Sequence, residues 1–427
     1  MNIRKIPRGR PYIPLLPLIK ASVKIPFASL NDGKKKQVAE NGIAQFFGIS
    51  HVKLLSTCRM AFFLALKSLN LKPGDEVLLS PVTIPDIVNA IHIAGLTPVF
   101  IDINPQTHFI NYEDLSRKVS DKSKVLLITY LSGIVPDIKQ VLDFAQLHDL
   151  IVVEDISHNY NSYYENRLLG TFGEIAVGST CISKSLSSLG GGFLMTDNEQ
   201  LSLRIAESSN ELFNAPARTF ILSQIVANLA TLISTDSFIF SIFTFNLFRL
   251  IRRYDPKTWE YLETFNRNQS EDAPLYDNPA ILRNKLPSEA YFWFSDLQAE
   301  ILLKVLKRID CQDNKRINLF NVFYEHLEPR VRKNLVQEYA GEHRSVYWHI
   351  PYRSDNKFAL KNFLFNNGID AIGFIMKNCA HEKAFERYYT YCPGAEEILN
   401  ETLLIPIHSS FSEKDMIYMA KTLNNYV

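Results

Sequence analysis

Between about residues 30 and 205, apolar positions recur first at helical spacing and then in short strand-like runs. AFFLALKSLNL (61–71) has helical spacing and ends at the turn Lys-Pro-Gly-Asp, and EVLLSPV (76–82) is rich in strand-forming residues. The alternation continues through a helical DIVNAIHIAGL, a strand at 97–103, a strand at 124–131, a helix around 137–148 and a strand at 150–156. Apolar strands separated by helices are typical of a parallel sheet covered on both faces, so we expect an α/β fold.

A different pattern begins near residue 209. Residues 219–235 carry no charge, Asp236 interrupts, and 237–248 is again uncharged before Arg-Leu-Ile-Arg-Arg. The first run is shorter than the ~20 apolar residues of a membrane span and contains two amide side chains, so no spanning helix is expected. This apolar surface is costly to leave in water, so it is buried in the fold, against a second subunit, or in a membrane interface.

The remaining pattern divides the chain into four predicted parts. They are an N-terminal arm with a first helix (1–44), a large α/β domain (45–208), an apolar helical insertion (209–285) and a smaller α+β domain (286–427). Three prolines break the apolar stretch near the N-terminus and Lys20 follows them, which disfavours a signal peptide. We expect instead an extended arm on the fold or on a partner subunit.

Composition limits the class of protein. The 427 residues are 46% hydrophobic and 21% charged, as in a globular protein, and 46 Lys and Arg nearly balance 45 Asp and Glu. This balance suggests no nucleic-acid partner. The five cysteines form no CxxC pair and no metal-ligand spacing, so we expect no metal site and reduced thiols in a cytoplasm.

Two residues carry the candidate chemistry. Asp155 directly follows an apolar strand, where a carboxylate can hold the cationic nitrogen of a pyridinium cofactor or simply cap a helix. Lys184 lies between a strand-like run and a triple glycine. It is the one charged residue in the segment 175–196. Desolvation there lowers the pKa of an amine and makes it a nucleophile toward aldehydes; the alternative is a solvated surface lysine.

Two segments are candidate phosphate sites. Ser179 precedes Lys184 by five residues, and Thr57, Cys58 and Arg59 lead into the predicted helix that starts near Met60. Hydroxyls, a helix N-terminus and a guanidinium together suit a phosphate group. Each of these signals is weak alone, because serines in loops are usually turn residues.

The ordered series of motifs resembles the DegT/StrS-type sugar aminotransferases. The segments that carry the resemblance are 54–107, 152–196, SDLQAEI (295–301) and LLIPIHSSFSEKDM (403–416). The resemblance implies the aspartate-aminotransferase (type I) fold, pyridoxal 5'-phosphate as cofactor and a homodimer. It makes Lys184 the cofactor-binding lysine and proton shuttle and Asp155 the partner of the pyridine nitrogen.

The same resemblance assigns further cofactor contacts and shows departures from the family pattern. It makes Ser179 a phosphate ligand and places Thr57, Cys58 and Arg59 in the phosphate-binding turn, with Cys58-Arg59 in place of the usual Gly-Thr. His158 stands where the family commonly has Gln beside the ring hydroxyl, the alternative being a core histidine. Ile84 replaces an aromatic that stacks on the ring, and Tyr291-Phe-Trp293 replaces an Asn-x-Arg that reaches the neighbouring subunit's site.

The function implied is transamination of a keto-sugar, nucleotide-linked, with glutamate as the donor. Retention of Lys184 argues against the related dehydratases, in which that lysine becomes histidine. Two alternatives stay open: another reaction of the same cofactor on an amino acid or amino-ketone, and a non-catalytic membrane-associated scaffold. We expect a cytoplasmic protein, with peripheral contact to the inner face of the membrane through 219–253 as the alternative to burial of that segment in protein.

Overall fold

The computed structural model describes residues 4–28, 30, 33–255, 258–259 and 280–426. The central sheet within these residues consists of β1 (His51–Leu55), β2 (Glu76–Leu79), β3 (Thr97–Phe100), β4 (Ser123–Thr129), β5 (Ile151–Asp155), β6 (Ile175–Ser179) and β7 (Gly192–Thr196). The spatial order is β1-β7-β6-β5-β4-β2-β3. β7 is antiparallel to both neighbours, whereas β6, β5, β4, β2 and β3 run parallel. The expected α/β fold with a mainly parallel sheet is confirmed.

Helices cover both faces of this sheet. Alternate side chains of β4 show this directly, because Val125 and Leu127 enter one apolar cluster while Leu126 and Ile128 enter another. The helices of the first half are α1 (Leu15–Lys24), α2 (Lys34–Phe47), α3 (Cys58–Ser68), α4 (Pro85–Ile93), α5 (Tyr112–Lys118), α6 (Lys139–Leu147) and α7 (Glu199–Leu212). α3 and α4 line the first cluster, and α2 and α6 the second.

The topology of the sheet determines where a site can form. The chain runs from β2 outward to β3 and then returns to the other side of β2 with β4, so the order reverses between β2 and β4. Ligands of open α/β sheets bind beyond the carboxyl ends of the strands near such a reversal. Asp155 ends β5 at that edge, in register with Thr129 of β4 and Val177 of β6.

The C-terminal part builds a second, antiparallel sheet from β8 (Ile350–Arg353), β9 (Ile372–Gly373) and β10 (Thr402–Ile405), with β10 in the centre. Its helices are α10 (Asp296–Leu306), α11 (Ile309–Glu325), α12 (Pro329–Arg332), α13 (Lys357–Asn366), α14 (Pro393–Glu401) and α15 (Glu413–Asn424). α11, α13 and α15 share an apolar cluster with β8 and β10. The division of the chain at 44, 208 and 285 stays a prediction.

The N-terminal arm lies on this chain's own C-terminal part. Ile6 pairs with Ile369, donating its N–H to Gly368 (2.9 Å) and accepting from Asp370 N (3.0 Å). The Arg8 guanidinium binds the Asp370 carboxylate through two hydrogen bonds of 2.7 and 2.8 Å. Of the two positions expected for the arm, the structure shows the one on the fold itself.

The apolar insertion forms α8 (Arg218–Ser234) and α9 (Ser237–Tyr254), which contains a π-helical turn at Phe240–Thr244. Asp236 separates them and caps α9, accepting a hydrogen bond from Phe238 N (3.1 Å). Within the described part of the chain, no single helix is long and apolar enough to cross a membrane. The pair α8 and α9, bent by 62°, reaches that length and composition together. Part of the predicted insertion, 256–257 and 260–279, lies outside the described residues.

Candidate active site

Asp155 lies at the carboxyl end of β5, as the strand pattern predicts. Its Oδ1 accepts a hydrogen bond from the backbone N–H of Ser157 (2.9 Å), which closes a turn in the chain. No helix begins in the residues that directly follow, 156–162, so the helix-cap alternative is wrong. Burial raises the pKa of this carboxyl, and Ser157 and Lys184 partly offset the rise.

Lys184 lies in the loop between β6 and β7 and is 8% exposed, so it is not a surface lysine. Its backbone N–H donates to Cys181 O (3.0 Å), which closes a tight turn, and its Nζ lies 4.3 Å from the centroid of the Trp348 ring. Burial lowers the pKa of the amine, although Cys181, Asp155 and Cys58 act in the opposite direction. A lowered pKa favours the deprotonated amine, which is the form that attacks an aldehyde.

His158 and Trp348 form a stacked pair beside Lys184. Their ring centroids lie 3.9 Å apart at an interplanar angle of 11°. Nδ1 of His158 accepts from Ser132 N (3.2 Å), which assigns the ring proton to Nε2. Burial holds the pKa of His158 well below its ordinary value, so the ring is neutral. The alternative of a core histidine accounts for its burial, but not for its contact with the ring that covers Lys184.

Sequence reasoning missed Trp348. Its Nε1 donates to Ser183 O (2.8 Å), which ties the segment before β8 to the lysine loop. The residue lies 164 positions after Lys184, in a strand-like run that contains no chemical motif, so nothing local in the sequence marks it. Only the packing of the C-terminal part on the central sheet reveals the contact.

The predicted phosphate turn lies at the first turn of α3. Thr57 caps this helix, with its Oγ1 accepting from Met60 N (3.1 Å). Cys58 is the first helical residue and its Sγ lies 3.5 Å from Ser157 Oγ, so the turn is close to the loop after Asp155. Burial raises the pKa of the Cys58 thiol well above its ordinary value, which keeps it protonated. The turn also packs against β7, because a Cβ added at Gly192 would lie 2.3 Å from Cys58 N.

Arg59 and Ile84 lie at the start of α3 and just before α4. The Arg59 guanidinium pairs with the Asp86 carboxylate (2.7 Å), which Arg283 also contacts (3.2 Å). This ion pair gives Arg59 a structural partner, and a contact between Arg59 and phosphate stays a prediction. Ile84 packs against the apolar cluster on the α3 and α4 face of the sheet. Neither residue takes part in the hydrogen bond or the cation–π contact of Lys184.

Ser179 ends β6, two residues beyond Val177, which pairs with Asp155 of the neighbouring strand. Its backbone N–H donates to the Tyr160 hydroxyl (3.0 Å), and that hydroxyl donates to Ser179 O. Tyr160 is buried and therefore holds the end of β6 in place. The Ser179 hydroxyl accepts only a long hydrogen bond from Cys181 N (3.5 Å), which leaves it available to a ligand.

A second carboxylate next to Asp155 has a structural role that the sequence did not indicate. Glu154 is fully buried and accepts from the Tyr130 hydroxyl (2.8 Å) and from the backbone N–H groups of Gly170 (2.8 Å), Phe172 (2.7 Å) and Gly173 (2.7 Å). Burial raises its pKa, and these four donors counteract the rise. Because Glu154 points away from Asp155 on the alternating strand, it anchors β5 while Asp155 faces the site.

A profile of the DegT/DnrJ/EryC1/StrS aminotransferase family matches residues 25–221 and 290–424, which is more than half of the chain. The spore coat polysaccharide biosynthesis protein SpsC of Bacillus subtilis (strain 168) is 36% identical over 176 residues, 41% of this chain and 45% of SpsC. The GDP-perosamine synthase of Escherichia coli O157:H7 is 31% identical over 169 residues, 40% of this chain and 46% of the synthase. The matched stretch thus spans about half the length of these relatives.

Solved structures match over nearly the whole chain. The aminotransferase TlmJ from Streptoalloteichus hindustanus superposes with a TM-score of 0.72 and covers 99% of this chain and 98% of its own, at 19% identity. This likeness shows the fold.

Proposed function

Because the chain belongs to the DegT/DnrJ/EryC1/StrS aminotransferase family, we propose that it is a pyridoxal-phosphate-dependent aminotransferase that transfers an amino group to a keto-sugar. The observation that carries the proposal is the placement of two groups at one edge of the sheet. Asp155 ends β5, and Lys184 follows β6, the neighbouring strand, buried with a lowered pKa.

The donor set fits the cofactor. Pyridoxal phosphate presents an aldehyde, a pyridine nitrogen and a phosphate, and when bound it supplies an electron sink for carbanion charge. Lys184 provides the amine, Asp155 the carboxylate for the ring nitrogen, and the first turn of α3 with Ser179 the amides and hydroxyls for the phosphate.

Each of these residues has a defined task in the proposed reaction. The Lys184 amine accepts a proton from the donor's α-carbon and returns one to the acceptor. Asp155 holds a proton on the ring nitrogen by a charge-assisted hydrogen bond. His158 would donate a hydrogen bond from Nε2–H to the ring hydroxyl oxygen, and the Trp348 ring excludes water from Lys184 Nζ. Ile84 would provide an apolar contact to the cofactor ring, at the position where relatives have an aromatic side chain that stacks on that ring.

The substrate class is proposed from the relatives. A GDP-perosamine synthase and a spore coat polysaccharide protein both point to sugars destined for glycans, so we propose a nucleotide-linked keto-sugar as acceptor and glutamate as donor. A homodimer in the cytoplasm is part of the same proposal. In relatives, an asparagine and an arginine reach the site of the neighbouring subunit. Tyr291 and Trp293 replace them here, so the contacts between the two subunits would differ in detail.

The test is a donor and acceptor screen on purified protein loaded with pyridoxal phosphate. GDP-, UDP- and dTDP-linked keto-sugars are combined with glutamate, glutamine or aspartate, and mass spectrometry measures the amino sugar formed. We expect an amino sugar and 2-oxoglutarate from one of the glutamate combinations. Covalent cofactor without an amino sugar in any combination would favour another reaction of the cofactor on an amino acid or amino-ketone.

Lys184→Ala and the exposed-lysine control Lys124→Ala separate catalysis from folding. Borohydride reduction followed by peptide mass spectrometry should find the cofactor on Lys184 in wild-type protein and in the control. Lys184→Ala should lose both the label and turnover. Label on another lysine, or normal turnover by Lys184→Ala, would disprove the assignment, and no bound cofactor in the wild type would favour a non-catalytic scaffold.

A further inference from the structure

The described helices of the two long segments outside the family match come together in space. The family profile leaves out residues 1–24, 222–289 and 425–427, and the first two of these segments contain α1, most of α8 and all of α9. α1 packs against α8. The arm before α1 also reaches the start of α9, because Arg10 Nη1 donates to Thr235 O (2.9 Å) and Lys5 N donates to Ser241 Oγ (2.8 Å). We call the outer surface of these helices the α1/α8/α9 face.

Each of the three helices buries only one side. Ile221, Ile225 and Leu232 of α8 share a cluster with Leu18 of α1 and with the apolar side of α10. Phe240 and Phe245 of α9 pack against Phe365 of α13. Burial in protein therefore accounts for the inner half of the apolar insertion and leaves the outer half uncovered.

The outer side of α9 is a stripe of exposed apolar residues. The helix contains a π-helical turn at Phe240–Thr244, which inserts one residue into the helical repeat. The stripe consists of Phe238, Ile242, Phe243, Leu247, Leu250 and Tyr254, each at least 41% exposed.

α1 and α8 also carry exposed apolar side chains. Leu222, Val226 and Ile233 follow helical spacing on the outer side of α8. α1 exposes four apolar side chains opposite its buried Leu18 and Ala21. They are Leu15, Leu16, Ile19 and Val23. A single exposed leucine is ordinary on a protein surface, whereas thirteen exposed apolar side chains on these three helices indicate an interaction surface.

Charge decides what covers this surface. Residues 4–28 contain six Lys and Arg (4, 5, 8, 10, 20 and 24) and no Asp or Glu, and residues 218–254 contain Arg218, Arg249, Arg252 and Arg253 against Asp236 alone. The whole chain is nearly neutral at +1, so this basic excess is local. Some of these cations pair with other parts of the chain, as Arg8 does with Asp370, but Lys20, Arg249 and Arg253 are exposed beside the apolar stripes.

A second copy of the chain is a poor occupant for a basic apolar face. In a two-fold dimer the same patch meets itself, so the cations would face cations. An anionic lipid surface meets both requirements, since its headgroups attract Lys and Arg and its acyl boundary accepts the apolar side chains. Because each helix is packed on the protein along one side, the helices would lie in the plane of the interface and not cross it.

We propose that the α1/α8/α9 face binds the anionic surface of a lipid bilayer. Its apolar stripes enter the headgroup region, and Lys20, Arg249 and Arg253 contact lipid phosphates. This proposal does not depend on the transamination proposed above, because the face lies outside the segments that the family shares.

The test is co-sedimentation of the purified full chain with phosphatidylcholine vesicles containing 25% phosphatidylglycerol. We expect wild-type protein to pellet with these vesicles and to pellet weakly with pure phosphatidylcholine or at high salt. Phe243→Glu with Leu247→Glu should lower the bound fraction about tenfold, and Arg249→Glu with Arg253→Glu should remove the preference for anionic lipid. The matched control, Leu147→Glu with Leu203→Glu, adds the same charge on exposed positions of α6 and α7 and should bind normally.

A second measurement separates insertion from adsorption. In a Phe243→Trp variant, brominated lipids should quench the fluorescence component that this tryptophan adds over wild type. Wild-type protein that stays in the supernatant with anionic vesicles, or binding that Phe243→Glu with Leu247→Glu leaves unchanged, would overturn the proposal. If the same variant instead converts a dimer to a monomer in sedimentation velocity while lipid binding is absent, the face is a contact between copies and the lipid proposal is wrong.

Discussion

Gly192 begins β7 with its backbone against the first turn of α3, and adding one methyl group there should perturb the predicted phosphate site. A Cβ at this position would lie 2.3 Å from Cys58 N, 2.6 Å from Thr57 C and 2.7 Å from Cys58 Cα. All three are backbone atoms, so no side-chain rotation relieves the contact. Gly192 lacks a positive φ, so the cost of Gly192→Ala comes from this close approach and not from backbone strain.

The magnitude follows from the distances. An ordinary contact is 3.4–4 Å, so the first turn of α3 must move by roughly 1 Å, and overpacking of this kind costs about 3 kcal/mol. For a chain of 427 residues, an unfolding entropy of roughly 2.1 cal/mol/K per residue means that 1 kcal/mol lowers the melting temperature by about 1 °C, so thermal unfolding should fall by about 3 °C. The displaced turn should also bind pyridoxal phosphate about tenfold more weakly, which corresponds to the loss of about one hydrogen bond to the phosphate.

The assays are calorimetry and a spectroscopic titration with the cofactor, and Gly9→Ala is the matched control. No atom lies within 4 Å of a Cβ at Gly9, and its φ is not positive, so that variant should melt at or slightly above the wild-type temperature. If Gly192→Ala melts within about 1 °C of wild type, the steric reasoning fails. If it melts low but binds the cofactor with unchanged affinity, the first turn of α3 does not hold the phosphate.

Three further predictions concern the site and its surroundings. Asp155→Ala should fold normally and lower turnover by orders of magnitude, because an unprotonated pyridine is a poor electron sink; near-normal turnover, or a protein that merely unfolds, would return Asp155 to a structural role. Arg59→Ala should weaken cofactor binding, increasingly at high phosphate concentration. An unchanged dissociation constant together with a lower melting temperature would limit Arg59 to its ion pair with Asp86. Burial lowers the pKa of His349 to about 4, so between pH 6.5 and about 4 the unfolded chain binds a proton that the folded chain does not. Stability from this group is therefore lost as pH falls, and His349→Asn should reduce the slope of unfolding free energy between pH 5 and 6.5 by about 1 kcal/mol per pH unit in guanidinium titrations.

Local pattern was sufficient for the elements of the central sheet, for the position of Asp155 and for the buried setting of Lys184. The apolar run before Asp155 predicts a strand, and the carboxyl end of a parallel strand is where such sheets bind ligands. The uncharged setting of Lys184 predicts desolvation, and the structure shows the residue buried with its pKa lowered. These inferences succeed because strand formation and local charge depend on neighbours within a few residues.

Contacts between distant segments could not be read from the pattern. Trp348 covers Lys184 and stacks on His158, yet a tryptophan in a strand-like run has many places to pack. The sequence also could not identify the ion-pair partner of Arg59, because Asp86 is one acidic residue among 45 Asp and Glu. Side-chain pattern encodes which face of an element is apolar, but not which other element covers that face.

The insertion shows the same division. The two uncharged runs within residues 219–248 by themselves indicate an apolar surface that is costly to expose to water. Their lengths also indicate that neither run alone spans a bilayer. Only the tertiary structure decides that α1 and α10 bury the inner side of α8 while the outer side of α9 stays exposed. The physical reason is that hydrophobic burial is non-directional: it requires apolar surface to leave water, and the packing geometry of the whole chain selects which surface leaves.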